Sequence, residues 1–279
     1  MKFYVAGADD ARFYMIRRKN LNLMFTAGHF WSNKGFRNFT PPIEHNNLFC
    51  DSGAFQLFGR YSDFPFTPEQ YLEFINSLSP DFFATMDYPC EPFIREKIHS
   101  SVKDCIDKTI ENTAKIIDIP SCSSFVPVLQ GWNEDDYVQC IEDFKSRGLL
   151  TDYMAVGTLC RRGDNKKILS ILRTIKRNLP QGCKLHGFGV KISLLKIAET
   201  YNLLESCDSA AWVSRVRAGE LTLFTGKKLV SIPYSGLPLS GFERLSISVN
   251  GYVGYVEYLI NQHTEKKGNL LPYIQKGES

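Results

Sequence analysis

The sequence predicts an α/β fold, built as a single (β/α)8 barrel of the TIM type. Short apolar runs alternate with amphipathic helical patterns, as expected for a parallel sheet whose strands are joined by crossover helices. The apolar runs mostly end in polar residues or glycines, and a chain of 279 residues suits one such barrel. An open doubly wound sheet is the alternative, but no glycine-rich phosphate-binding turn follows the first strand.

The predicted strands are apolar segments bounded by polar residues or glycines: 3–7, 23–27, 48–50, 82–86, 125–129, 153–156 and 184–186. A further strand end is expected at 206–208. Residues 221–233 predict a β-hairpin inserted before the last helix. The segment 28–46 is rich in Asn, Pro, Gly and aromatic residues and predicts a long loop, a feature that tends to be functional in compact domains.

The predicted helices carry apolar residues at helical spacing: 9–19, 68–78, 95–117, 134–146, 165–178, 193–201 and 246–263. Pro68 stands at a favoured first-turn position. No linker, internal repeat or low-complexity segment divides the chain, so residues 1–279 are expected to form one domain.

Composition excludes several classes of protein. With 43% hydrophobic residues the chain can build a large core, and no apolar run is long enough to span a membrane. The first residues lead directly into a strand rather than a signal peptide, so we expect a cytoplasmic protein, in the host cytoplasm if it is phage-encoded. The eight cysteines include no CxxC pair, which predicts reduced thiols, no metal site and no cofactor. A net charge of +3 does not by itself indicate nucleic acid, and basic clusters such as 17–19 are typical of solvated surface.

The chain is organised around the stretch 47–56. An apolar run places Asp51 at the end of a predicted strand. Small residues follow Asp51, and Phe55 comes four positions after it. A carboxylate beside a planar side chain suits a site that stacks and protonates a flat heterocycle. An ordinary strand-to-turn junction is the alternative, because Asp, Ser and Gly are common in turns.

Other predicted strands also end in polar residues or glycines, and the carboxyl ends of barrel strands meet at one mouth. This set comprises Asp51, Asp87, Gln130, Gly157, Thr158, His186, Gly187 and Asp208. Glycosidic chemistry gives carboxylates a reason to share a site, since one attacks an anomeric carbon while another moves a proton. A further carboxylate and an amide could read the Watson–Crick edge of a purine.

Five segments of the chain resemble motifs of the tRNA-guanine transglycosylases. Residues 51–56 (DSGAFQ) resemble DSGGFQ, 128–131 (VLQG) resemble the VQG segment, and 155–159 (AVGTL) resemble IGGL. Residues 187–190 (GFGV) resemble the MGVG turn, and Asp208 with the arginines after it resembles the DCVxPTR region. The five occur in the family's order.

The resemblance implies a barrel enzyme that exchanges guanine in a polynucleotide for a 7-deazaguanine through a covalent glycosyl intermediate. Asp208 would be the nucleophile on C1′, and Asp51 would bind the base and act as general acid and base. Arg215 and Arg217 would contact phosphates, which position but do not specify. The residues that it assigns to the base are Phe55 and His186 on the two faces, and Asp87, Gln130, Gly157, Thr158, Leu159 and Gly187 around them.

Departures from the tRNA enzymes favour a DNA-modifying branch, the 7-deazapurine DNA-guanine transglycosylases found in bacterial genomic islands and phages. The CxCxxC…H zinc site is missing, His186 stands where Met is usual, and residues 213–215 (VSR) replace PTR. The expected partners are DNA with a flipped or single-stranded guanosine and a 7-deazaguanine of the preQ0 type, and no membrane. An accessory protein and a homodimer are both left open.

Three other hypotheses compete with a DNA-guanine transglycosylase. A tRNA enzyme that lost its zinc module would use the same chemistry, whereas a non-catalytic nucleic-acid-binding subunit would need none of it. A glycoside hydrolase is weaker, because the glutamate-rich strand ends of such barrels are missing. The loop 28–46 is expected either to hold the target nucleotide by aromatic stacking or to pack on the barrel as an apolar lid.

Overall fold

A parallel β-sheet forms the centre of the protein in the computed structural model, which describes residues 1–7, 20–40 and 45–274, with side chains as far as residue 264. The predicted helix 9–19 and the basic cluster 17–19 lie outside these residues. The strands are β1 Lys2–Ala6, β2 Leu21–Thr26, β3 Trp31–Ser32, β4 Gly35–Phe36, β5 His45–Asp51, β6 Phe82–Ala84, β7 Ser124–Val126, β8 Val128–Leu129, β9 Tyr153–Val156, β10 Lys184–Gly187, β11 Ser206–Ser209, β12 Glu220–Phe224 and β13 Leu229–Pro233.

The sheet closes into a barrel through a strand that proline divides. Its strand order is β7-β6-β5-β2-β1-β11-β10-β9-β8, so β7 and β8 form its two ends although only Pro127 separates them in the chain. The carbonyl of Val126 accepts from Thr85 N (3.1 Å) on one side, and that of Pro127 accepts from Ala155 N (2.8 Å) on the other. One segment therefore pairs with both neighbours, and the predicted TIM-type barrel is confirmed.

The helices that follow the strands are α1 Ala54–Leu57, α2 Pro68–Leu78, α3 Pro92–Lys97, α4 Val102–Ile117, α5 Glu134–Ser146, α6 Asn165–Asn178, α7 Ile192–Leu195, α8 Thr200–Leu203, α9 Ala211–Arg217 and α10 Gly241–Ile274. The predicted helices 68–78, 134–146 and 165–178 are confirmed. Among the described residues, no helix is both long enough and apolar enough to cross a membrane.

Three predicted helices differ from the structure. The helix expected at 95–117 is two helices, because His99 adopts a left-handed backbone (φ 50°) and Ser101 then caps α4 by accepting from Asp104 N (3.1 Å). The helix expected at 193–201 is likewise divided into α7 and α8. The last helix begins at Gly241 rather than 246, since Ser240 and Glu243 bond each other's backbone N–H groups (3.2 and 2.7 Å).

The expected long loop 28–46 contains a 3-10 helix, Ala27–His29, and the small hairpin β3–β4, while residues 41–44 lie outside the description. Its aromatic side chains pack inward: Phe30 stacks on Phe74 (5.6 Å) and Trp31 lies against Phe66 (5.2 Å). This packing is that of an apolar lid. The predicted hairpin at 221–233 is confirmed as β12 and β13, and β12 packs against α10.

Apolar side chains fill much of the barrel interior, and polar side chains lie at the carboxyl end of its strands. Residues Tyr4, Met24, Phe49, Ala84, Val126, Val128 and Ala155 form a buried cluster inside the sheet. Because side chains alternate along a strand, Asp51 stands on the same face of β5 as Phe49, one step nearer the carboxyl end. Asp51 therefore lies above buried apolar side chains.

Candidate active site at the carboxyl end of the barrel

A cavity of about 700 Å³ opens at the carboxyl ends of the strands. Its lining includes eight residues that the sequence predicted for the site: Asp51, Phe55, Asp87, Gln130, Gly157, Thr158, Asp208 and Arg217. It also includes His29 of the loop 28–46, Phe188 and Gly189 of the segment 187–190, and Glu91 and Cys160, which the sequence did not single out. The strand ends thus bring three aspartates to one concave surface.

Asp51 leaves β5 at a turn that accepts only small residues. Gly53 has a left-handed backbone (φ 87°), and a Cβ there would lie 2.8 Å from the backbone N of Gly28. Burial raises the pKa of the Asp51 carboxyl well above its usual range, and the charges of Asp87 and Asp208 raise it further. Backbone N–H groups of the turn oppose this rise. These surroundings favour a proton on Asp51.

Asp87 is held as a hydrogen-bond acceptor on the cavity wall. Gln130 Nε2 donates to its Oδ2 (2.5 Å), and the buried hydroxyl of Ser52 donates to its Oδ1 (3.1 Å). Burial raises the pKa of Asp87 to about 6, while these two bonds favour the charged form. The carboxylate form therefore dominates at neutral pH.

The Gln130 amide lies in a slot that glycine leaves open. A Cβ on Gly157 would come within 2.2 Å of Gln130 Nε2. Beside it, Thr158 adopts a left-handed backbone (φ 56°), which is strained for a β-branched residue. Arg162 fixes this strand end by donating from Nε to the Thr158 carbonyl (2.7 Å).

The Thr158 hydroxyl is shared between three groups. It accepts from the backbone N of Cys90 (2.9 Å) and contacts Gln130 Oε1 (2.6 Å) and Glu91 Oε2 (3.1 Å). Glu91 is 2% exposed, and burial raises the pKa of its carboxyl, whereas the charge of Arg162 lowers it. A continuous hydrogen-bonded array thus connects Glu91 to Asp87 through a hydroxyl and an amide.

Asp208, at the end of β11, is supported from below by a second array. Its Oδ1 accepts from the backbone N of Gly189 (2.9 Å) and lies 3.3 Å from His186 Nε2. His186 Nδ1 contacts Ser206 Oγ (2.6 Å), which in turn contacts the hydroxyl of Tyr153 (2.5 Å). Donation from Tyr153 towards Asp208 satisfies every member, and both donors to Asp208 end on Oδ1, which leaves Oδ2 for a substrate atom.

Three predicted base-binding residues do not line the cavity. His186 is fully buried in the barrel interior and packs edge-on against Phe188 (4.7 Å), so it supports Asp208 instead of covering a base. Phe188 lines the cavity in its place. Leu159 is buried, and Gly187 lies on the outer face of β10, where a Cβ would be 3.0 Å from Leu204 and Val190.

The two predicted phosphate contacts are also separated. Arg217 lines the cavity mouth near His29. Burial lowers the pKa of the His29 imidazole, and the positive charge of Arg217 lowers it further. Arg215 instead donates to the Ser231 hydroxyl of the hairpin. The structure therefore leaves Arg217 at the mouth and directs Arg215 to an internal contact.

An aromatic and cationic edge borders the mouth near Phe55. The guanidinium of Arg161 lies over the Phe55 ring (5.2 Å) and over the Phe93 ring (5.6 Å). Phe93 is 47% exposed, an unusual setting for a large apolar side chain. This edge presents ring faces and a positive charge to whatever approaches the cavity.

Comparison with known proteins identifies the family of this chain. No curated protein matches it. Among the described residues, no group of three or more His, Cys, Asp or Glu side chains could hold a metal ion. A family model described as DpdA, DeoxyPurine in DNA protein A, matches residues 31–226, more than half of the 279 residues and all of the strand ends from Asp51 to Asp208. The chain belongs to the DpdA family, the transglycosylases of 7-deazapurine DNA modification.

Proposed function

We propose that the protein exchanges guanine in DNA for a 7-deazaguanine base of the preQ0 type, by double displacement through a covalent aspartyl-glycosyl intermediate. The family indicates a DNA transglycosylase. The observation that supports the detailed mechanism is that three aspartates share one cavity but have different surroundings. Burial and two neighbouring charges favour a proton on Asp51, whereas Asp87 and Asp208 accept hydrogen bonds.

Base recognition falls to the wall opposite the nucleophile. Guanine presents N–H donors at N1 and the exocyclic amine, which match the Asp87 carboxylate, and its O6 requires a donor such as a backbone N–H at the strand end of Thr158. Phe55 and Phe188 both line the cavity and supply rings for the base to pack against.

In the first displacement, Asp208 Oδ2 attacks C1′ and the C1′–N9 bond breaks, with its electron pair passing to the base. Asp51 gives its proton to the departing guanine. In the second, the incoming 7-deazaguanine loses its N9 proton to Asp51, N9 attacks C1′, and the bond from C1′ to Asp208 breaks. Each carboxyl returns to its starting state.

DNA must present its target outside the helical stack, because the cavity lies within the barrel mouth and cannot reach a paired base. Arg217 and Arg161 stand at this mouth and are suited to phosphate contacts. Phe93 is exposed beside them and is suited to stacking on a neighbouring base.

The test is exchange of radiolabelled guanine into DNA or tRNA. We expect incorporation into DNA by the wild type and none by Asp208→Asn, which keeps the acceptor for Gly189 and loses the nucleophile. Asp118→Asn makes the same change at an exposed aspartate, far from Asp208 in the sequence, and is the matched control. Incorporation into tRNA alone would identify an RNA enzyme without a zinc module, and incorporation into neither would favour a binding subunit. A denaturation-resistant protein–DNA adduct should form with the wild type and with Asp118→Asn but not with Asp208→Asn.

A further inference from the structure

The array from Glu91 to Asp87 contains fewer protons than its contacts require. The Thr158 hydroxyl has one proton, and it faces two acceptors, Gln130 Oε1 at 2.6 Å and Glu91 Oε2 at 3.1 Å. One of its two lone pairs accepts from the N–H of Cys90 (2.9 Å), and the other is left for a further donor. If Thr158 donates to Gln130, then Glu91 must itself be a donor to keep its contact.

The direction of the array decides what Asp87 offers to a ligand. With the proton on Glu91, donation passes from Glu91 to Thr158 and on to Gln130 Oε1, and Gln130 Nε2 then donates to a carboxylate at Asp87. With Glu91 ionised, Thr158 turns its proton to Glu91, the amide reverses, and Asp87 must hold the proton to donate to Oε1. Both directions satisfy the groups, but only the first leaves Asp87 as an acceptor.

We infer that Glu91 is a positioning residue that stores one proton so that the Gln130 amide keeps Nε2 towards Asp87 and the pocket selects a base edge rich in donors. The inference rests on the proposed function, since the edge of guanine carries such donors at N1 and the exocyclic amine. Adenine presents an acceptor at N1 and would suit the reversed array instead.

The surroundings of Glu91 permit it to hold a proton. Its side chain is 2% exposed, and burial, the largest influence, raises its pKa. Its own backbone N–H opposes this rise, as does the Thr158 hydroxyl when it donates to Glu91. The charge of Arg162 opposes it less, and that guanidinium is engaged by the carbonyls of Thr158 (2.7 Å) and Trp132 (2.7 Å). Among the described residues, the other titratable groups that face Glu91 are the thiols of Cys90 and Cys160 and the phenol of Tyr137. Burial raises the pKa of Cys160 and Tyr137, and a hydrogen bond with Cys105, together with burial, raises the pKa of Cys90.

The chain offers an isosteric test in Glu91→Gln. The amide of a glutamine can donate from Nε2 to Thr158, as a protonated Glu91 would, while its Oε1 still faces Cys160 Sγ, now 3.9 Å from Glu91 Oε1. The variant therefore fixes the array in the direction that suits guanine but can no longer bind or release a proton.

The experiment measures guanine binding by calorimetry at pH 7.5 in two buffers that differ in ionisation enthalpy, which gives the protons taken up per base bound. The wild type is expected to take up a measurable fraction of a proton more than Glu91→Gln, because guanine binding draws the fraction of protein in which both carboxyls are ionised to the Glu91-protonated state, whereas the reversed array only transfers its proton from Asp87 to Glu91. Equal uptake by the two proteins would overturn the inference.

A second pair of variants tests the hydroxyl link. Thr158→Val removes the donor to Gln130 Oε1 and should weaken guanine binding by about tenfold, since a buried acceptor is left unsatisfied. Thr158→Ser keeps the hydroxyl and should restore binding to within about threefold. Equal affinities for the Val and Ser variants would also contradict the inference.

Failure of this inference is distinguishable from failure of the proposed function. A wild type that exchanges guanine into DNA but shows the same proton uptake as Glu91→Gln loses only the role of Glu91. A wild type that neither binds guanine nor exchanges it loses both.

Discussion

Asp87→Asn should make the folded protein more stable while abolishing base exchange. Burial raises the pKa of Asp87 from 3.8 to about 6, so folding costs more once the carboxyl is ionised. At 1.36 kcal/mol per pKa unit the cost at pH 8 is about 3 kcal/mol. An asparagine removes this cost and keeps both hydrogen bonds, accepting from Gln130 and donating to Ser52.

The sign of the pH dependence is fixed by the raised pKa. A group of this kind favours the folded state below its unfolded pKa and loses that contribution as pH rises through its folded value. The advantage of Asp87→Asn should therefore be about 3 kcal/mol at pH 8 and only about 1 kcal/mol at pH 4.5. For 279 residues, 3 kcal/mol corresponds to an increase in Tm of about 5 °C.

Thermal unfolding at the two pH values, followed by circular dichroism, measures this difference. Asp104→Asn is the control of opposite sign, since Ser101 lowers the pKa of Asp104 at the start of α4. That variant should lose stability at pH 8 and recover relative to the wild type as pH falls. An Asp87→Asn protein no more stable than the wild type at pH 8 would refute the view that the site is maintained at the expense of stability.

Three further predictions concern the cavity. Gly157→Ala should weaken guanine binding at least about tenfold in calorimetry, because its Cβ displaces the amide that lies 2.2 Å away, whereas Gly163→Ala, with open space around it, should bind normally. His186→Leu removes a donor to the nucleophile and should lower the single-turnover exchange rate by about tenfold without a matching loss of guanine affinity; an unchanged rate would contradict the supporting role. Arg217→Ala should weaken DNA binding and reduce its salt dependence in filter binding, while Arg215→Ala, whose side chain bonds the hairpin, should change that slope little.

The sequence predicts the carboxylates better than the residues that control them. Asp51, Asp87, Gln130 and Asp208 each follow an apolar run, and strand polarity alone carries such residues to the barrel mouth. Glu91 follows its strand by several residues, in a turn between prolines, so no periodicity reports the direction of its side chain. Its function emerges only when Thr158, distant in the chain, is brought to 3.1 Å.

His186 shows how one residue of strand length decides a role. The sequence predicts a strand that ends at 186, which would present the imidazole at the mouth. In the structure β10 continues to Gly187, and His186 lies one layer lower, buried against Asp208. Because side chains alternate along a strand, Phe188 takes the next position on that face and reaches the cavity.

The three aspartates of the cavity have different neighbours. On the proposed mechanism, this difference allows one cavity to support both displacements. For Asp51, backbone donors oppose burial and two negative neighbours, and the net effect favours a proton that it can give and take back. Asp87 receives two side-chain donors and stays an acceptor at neutral pH. Asp208 receives its donors on one oxygen alone, which supports its charge and leaves the other oxygen to attack. Three aspartates at three strand ends thus have different roles because the residues that contact them differ. Substitution of those contacting residues should separate binding from chemistry.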